Sequence, residues 1–152
     1  MPRHEVDCTL AYGPEPLFDL AADVERYPEF VPGWVAARVR KRADNLYGTD
    51  QIVGFGPIRQ QFSSTTTLRR PERIDVTSND RAFKHFHMTW LFKPLDGGNC
   101  RVTLIVEIDF RSPIVDALFR QAIGHMTGAI VTAFEARARQ LQTSSDRKGP
   151  GE

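Results

Sequence analysis

The chain has little of what marks most specialised protein classes. Its two cysteines, Cys8 and Cys100, stand far apart, each in an alternating apolar stretch. That excludes a dense disulfide framework and the CxxC spacing of a zinc site, and the thiols read as buried and reduced. No apolar run approaches the roughly 18 residues of a spanning helix, and the opening MPRHEVDCTL lacks the apolar core of a signal peptide. A soluble, cytoplasmic protein is expected. The formal charge is +1 over 152 residues, so neither DNA nor another bulk polyanion is indicated as a partner. GxSxG, GxGxxG, the phosphate-cradling GxxxxGK loop and HExxH are all missing, which leaves hydrolytic, nucleotide-dependent and zinc-proteolytic chemistry without support, and no cofactor is expected.

What is present begins with one long helical signal, Ser112 to Gln142. Ser112 suits an N-cap, Pro113 the first helical position, and Asp116 the positive first turn. Val115, Leu118, Phe119, Ala122, Ile123, Met126, Ala129, Ile130, Ala133, Phe134 and Leu141 recur at spacings of three and four, one broad apolar face. At 1.5 Å per residue the segment runs over roughly 40 Å, more than one strand can cover. It requires a sheet beneath it.

The rest of the chain supplies that sheet. Arg3 to Tyr12 alternates with period two, and Glu15 to Val24 is a short amphipathic helix. Glu25 to Trp34, punctuated by Pro28, Pro32 and Gly33, reads as a helical turn and loop. Six strand-like runs follow: Val35 to Arg42, Tyr47 to Phe55, Ile58 to Arg69, Arg73 to Ser78, Phe83 to Pro94 and Asn99 to Arg111, separated by Gly, Pro, Asn and Asp turns. The expected architecture is α+β: a curled seven-stranded antiparallel sheet around the long C-terminal helix, with two short helices after the first strand and an apolar pocket between helix and sheet. Residues 1–142 form one domain, and 143–152 (TSSDRKGPGE) read as a disordered tail.

Three stretches carry a resemblance: LFDLAADVERYPEFVP at Leu17 to Pro32, FKHFHMTWLFKP at Phe83 to Pro94, and DFRSPIVDALFRQAIGHMTGAIVTAFEARARQL at Asp109 to Leu141. The chain resembles the helix-grip, START/Bet v 1-like superfamily of polyketide cyclases, dehydrases and lipid-transport domains. Within it, the motifs are similar to the coenzyme Q-binding branch, which in bacteria includes the ribosome association toxins. The resemblance implies non-catalytic binding of a hydrophobic ligand, ubiquinone, by a chaperone or carrier supporting respiration. It also implies transient contact with the inner membrane. It leaves two alternatives, a polyketide aromatase/cyclase and a ribosome-interacting toxin.

The residues expected to meet the ligand are Phe30, Pro32, Trp34, Phe62, Phe86, Met88, Trp90, Val106, Phe119, Ile123, Met126, Ile130 and Phe134. No catalytic residue and no metal ligand set is expected. Phe30, Val31, Pro32 and Trp34 form either a membrane-touching lip or a cap on the core. Gly124 and Gly128 suggest close approach by a strand or a ligand. His85 and His87 share a strand face without a third ligand, so they read as ordinary strand histidines. Arg38, Arg40 and Arg42 suit RNA or acidic lipid, or else a solvated face neutralised by Glu5 and Asp7 across the sheet.

Overall fold

The computed structural model describes residues 3–147, with the side chains of residues 3–141. Strand β1 (His4–Leu10) is followed by helix α1 (Pro14–Ala22) and a 3₁₀ turn, Val24–Glu29. Strands β2 (Trp34–Ala43), β3 (Leu46–Phe55), β4 (Ile58–Arg69), β5 (Arg73–Thr77), β6 (Phe83–Pro94) and β7 (Cys100–Phe110) lead into helix α2, Pro113–Arg147. One seven-stranded antiparallel sheet results, in the order β1-β7-β6-β5-β4-β3-β2. Its two ends do not pair with each other, so the sheet stays open around α2. The period-two reading of the strands holds: in β7 every second residue, from Cys100 to Phe110, is buried.

Four details differ from the sequence reading. The turn-linked strands zip up in chain order from β2 to β7, while α1 and the 3₁₀ turn carry the chain across the sheet, leaving β1 to pair with β7 at the far edge from β2. Glu5 and Asp7 therefore cannot neutralise the arginines of β2. Asp7 takes Arg101 at 3.0 Å, Glu5 takes Arg3 at 2.9 Å, and Arg40 pairs with Asp50 at 3.0 Å. Second, a register shift between Trp34 and Ala36 turns Trp34 inward and leaves Val35 exposed, against its assigned parity. Third, α2 runs past Gln142 to Arg147, into the stretch read as a tail. Each added residue there gains a backbone hydrogen bond, and no Gly or Pro interrupts until Gly149; residues 148–152 lie outside the described ones. Fourth, Leu141 is exposed, not part of the buried face.

α2 is pinned at both ends. At its start, the Ser112 hydroxyl accepts from Val115 N (3.3 Å), and the Asp116 carboxylate accepts from Phe110 N (3.0 Å) and from Arg120 (2.6 Å). Toward its other end, Phe134 packs on Trp90 with ring centroids 5.0 Å apart. Arg137 donates to Glu29 at 2.8 Å, with its guanidinium 5.1 Å above the Phe30 ring. At this same end of the sheet, α1 buries Leu17, Phe18, Leu20 and Ala21, with Phe18 edge-on to Phe92 at 5.7 Å. Two carbonyls that the end of α1 leaves unpaired are taken by tyrosine hydroxyls, Ala21 O by Tyr27 and Ala22 O by Tyr47 (2.7 Å).

An apolar cavity under the long helix

Between α2 and the sheet lies a cavity whose lining is almost wholly hydrocarbon. Strands β3, β4, β6 and β7 contribute Val53, Phe55, Phe62, Phe83, Phe86, Met88, Val106, Ile108 and Phe110, β2 adds Trp34, and α2 adds Phe119, Ile123, Met126, Thr127 and Ile130. Two polar side-chain groups belong to that lining, and both are satisfied elsewhere. The Thr127 hydroxyl lies 3.0 Å from Ile123 O and 3.1 Å from Gly124 O, within its own helix. The Trp34 indole donates to Gln51 Oε1 at 2.7 Å. Among the described residues no carboxylate, imidazole, amine or thiol lines the space, so general acid–base and covalent chemistry have no group among them to act with there. The cavity volume is about 40 Å³, against roughly 300–1,000 Å³ for pockets that hold organic ligands. A ligand must part its walls.

Nine of the thirteen expected residues meet here: Trp34, Phe62, Phe86, Met88, Val106, Phe119, Ile123, Met126 and Ile130. Trp90 and Phe134 pack on each other at a tilt beyond them, Trp90 facing a neighbouring chamber. Phe30 sits half-buried between Tyr27 and Arg137, and Pro32 is exposed. The large groups of the Tyr27 to Trp34 stretch face the protein: Tyr27 and Val31 are buried, and Trp34 lies edge-on to Tyr27 with centroids 5.5 Å apart. Gly33 makes this possible, because its φ of +87° turns the chain so that Gly54 N donates to Gly33 O at 2.7 Å. The geometry is that of a core cap.

Some lining residues went unrecognised in the sequence. Phe55, Ile108 and Phe110 carried the signal, since they continue the inward parity of their strands. Phe83 did not: a register shift between Phe83 and His85 brings it to the same side as Phe86, contrary to simple alternation. The glycines are a correction. A Cβ on Gly124 would stand 3.8 Å from the His4 ring, an ordinary contact, and one on Gly128 would meet nothing within 4 Å. Neither is there for close strand packing.

A second chamber of about 30 Å³ adjoins the first across Trp34, Phe62, Phe86 and Met88, beneath α1 and the 3₁₀ turn. Its wall includes a buried polar row that the sequence reading passed over: Gln51 on β3, whose amide donates to Ser64 Oγ at 2.8 Å, and Thr66 facing Tyr47. Burial lifts the Tyr47 hydroxyl to about 12, and burial, with Tyr47 and Asp23 nearby, raises Tyr27 well above its ordinary range. Both phenols stay neutral at physiological pH. Cys8 and Cys100 are free thiols, and burial raises both, so neither is poised as a thiolate.

On the convex face, His87 contacts Asp75 at 2.9 Å and Arg73 grips the same carboxylate at 2.6 and 3.0 Å. Burial pushes the Asp75 carboxyl up, but the Arg73 and His87 hydrogen bonds outweigh it and leave it below its usual range. Among the described residues no three His, Cys, Asp or Glu side chains gather as a metal site. Among them, too, no helix is long and apolar enough to cross a membrane.

This arrangement recurs in known proteins. The ribosome association toxin RatA of Pseudomonas aeruginosa is 33% identical over 132 residues, 87% of this chain and 92% of that protein. The mitochondrial coenzyme Q-binding protein of Drosophila melanogaster is 30% identical over 107 residues, 68% of this chain but 44% of that protein. Among solved structures, the Zhui aromatase/cyclase of a Streptomyces species superposes with a TM-score of 0.82 at 14% identity, covering 91% of this chain and 94% of that one, a likeness of fold. Residues 10–135 match the family described as polyketide cyclase / dehydrase and lipid transport. With its helix-gripping sheet and hydrocarbon-lined interior, the chain belongs to that polyketide cyclase / dehydrase and lipid transport family.

Proposed function

We propose that the protein is a binder, not a catalyst, and that it carries an uncharged, elongated apolar molecule of the polyisoprenoid quinone class, with ubiquinone the foremost candidate. The hydrocarbon lining of the cavity carries this reading. An ionised head group inside it would lose its hydration with no counter-charge to offset the loss, whereas a quinone needs hydrogen-bond donors at most. Gln51 stands at the wall of the adjoining chamber as such a donor, since its amide keeps a second N–H beyond the one given to Ser64. Likeness to a coenzyme Q-binding protein supports the choice of quinone. The same lining argues against the cyclase alternative, which requires an acid or base beside its substrate. Mass spectrometry of the organic extract of protein purified from its native host tests the proposal. A quinone in stoichiometric amount is the expected result; a phospholipid or fatty acid in its place refutes the quinone assignment.

A second reading, ribosome association, is favoured by the full-length likeness to RatA and by one surface. Arg40, Lys41 and Arg42 border a groove of about 630 Å³ that also presents Ser63, Thr65, Thr77, Ser78, Asn79 and the Asp80 carboxylate, itself taken by Ser63 N and Ala82 N, and its cations and hydroxyls suit backbone phosphates. Co-sedimentation with ribosomal subunits on sucrose gradients tests it. Arg40→Glu with Lys41→Glu and Arg42→Glu is expected to abolish binding. Retention by the triple variant would move the contact elsewhere.

A further inference from the structure

The small volume of the apolar cavity raises the question of where a ligand passes in. On the β1 side of α2 there is a second, larger hollow of about 200 Å³, bordered by His4 and Arg120. Its floor is made by Val106, Ile108, Phe119 and Ile123, and these same four residues form one wall of the apolar cavity. Four side chains therefore separate the interior from an opening at the β1 edge. Above them α2 turns glycine, not a side chain, to the seam. Gly124 offers the His4 ring only its backbone, and Gly128, one turn further along the same face of α2, meets nothing within 4 Å. Since α2 is fastened at Asp116 and again at Phe134 and Arg137, parting of its middle from β1 does not require either fastening to break.

We propose that the apolar ligand passes between β1 and the middle of α2, through the opening bordered by His4 and Arg120, with Phe119 and Ile123 as the gate. Arg120 is engaged by Asp116 at 2.6 Å and by Asp109 at 3.2 Å, so its guanidinium is not left free to capture an anionic head. That suits an uncharged ligand. The competing passage, through the Tyr27 to Trp34 stretch, is closed by buried Val31 and by rings packed on Tyr27. The proposal rests on the reading that the cavity holds an apolar molecule, and its test separates the two.

Stopped-flow fluorescence with N-phenyl-1-naphthylamine, an uncharged apolar probe, gives both association and dissociation rates. Gly124→Leu places a side chain across the seam against His4 at an exposed helical position, where Leu is the better helix former. It is expected to slow both rates by roughly tenfold, leaving Kd unchanged, while Phe30→Ala leaves both rates as in the wild type. Rates unmoved by Gly124→Leu, or slowed by it only together with a loss of affinity, would overturn the portal while the cavity reading stands. No probe uptake by the wild type would remove the cavity reading, and the portal with it.

Discussion

Two ends of one concave sheet face hold different chemistry. Under the first half of α2 the strands present Phe55, Phe83 and Phe110 against Phe119, with neighbouring ring centroids 5.0 to 5.7 Å apart. Under α1 the same sheet presents Tyr47, Gln51, Ser64 and Thr66, tied by hydrogen bonds to Trp34 and to the end of α1. The polar end is fixed, because moving any member leaves a buried donor or acceptor unpaired, at about 1–3 kcal/mol each. The aromatic end has no such constraint, and its walls can separate around an apolar guest without stranding a polar group. The difference locates where the protein can yield.

The largest effect of a single substitution is expected at the aromatic end. Phe83→Ala removes a ring packed among Phe62, Phe86 and Phe110, and chemical denaturation is expected to show a loss of about 3–5 kcal/mol. A loss below about 1 kcal/mol would mean that this end collapses around the gap and is less well packed than its geometry implies. At the polar end, Gln51→Leu strands the Trp34 N–H and the Ser64 hydroxyl, with an expected loss of about 1–3 kcal/mol. Adding Trp34→Phe and Ser64→Ala should restore most of it, since replacing all partners removes the unpaired groups. Strict additivity of the three changes would show that the row does not act as a network.

A smaller effect appears as a pH dependence. Tyr47 holds its proton in the folded chain to about 12, whereas the unfolded side chain releases it near pH 10. Above pH 10 the folded state binds the extra proton, so stability falls with rising pH, fully present below about 10 and lost by about 12. Between pH 9 and 11 the wild type should lose about 1 kcal/mol through this group, and Tyr47→Phe should flatten that part of the profile. An unchanged profile in the variant would assign the decline to other groups. The smallest expected effect is a gain. Gly128→Ala, with nothing within 4 Å of the new Cβ, should stabilise α2 by about 0.5–1 kcal/mol. A loss instead would mean that the seam beside β1 is tighter than it stands here.

Local rules made much of this fold legible. The alternation of Val102, Leu104, Val106, Ile108 and Phe110 names the buried face of β7, because a strand can turn only every second side chain to one side. The spacing of Phe119, Ile123, Met126 and Ile130 names the face of α2 that meets it. Those two patterns already brought together Val106, Phe119, Ile123, Met126 and Ile130 of the candidate ligand-facing residues. Gln51 and Ser64 were harder to place, since their polarity points outward while their parity points inward, and only the partners provided by Trp34 and by each other make their burial affordable.

Other features depend on contacts between distant segments, which no local pattern encodes. The crossing of α1 and the 3₁₀ turn puts β1 beside β7, giving Asp7 to Arg101 and leaving the β2 arginines to other partners. Register shifts at Trp34 and Phe83 redirect one indole and one ring into the cavity. The size of the space under α2, and the four side chains dividing it from the opening at His4, follow from how closely helix and sheet approach. The residues facing one another are set by period and parity along the chain; the gap between them is set by the packing of all the elements at once, and so exists only in the folded molecule.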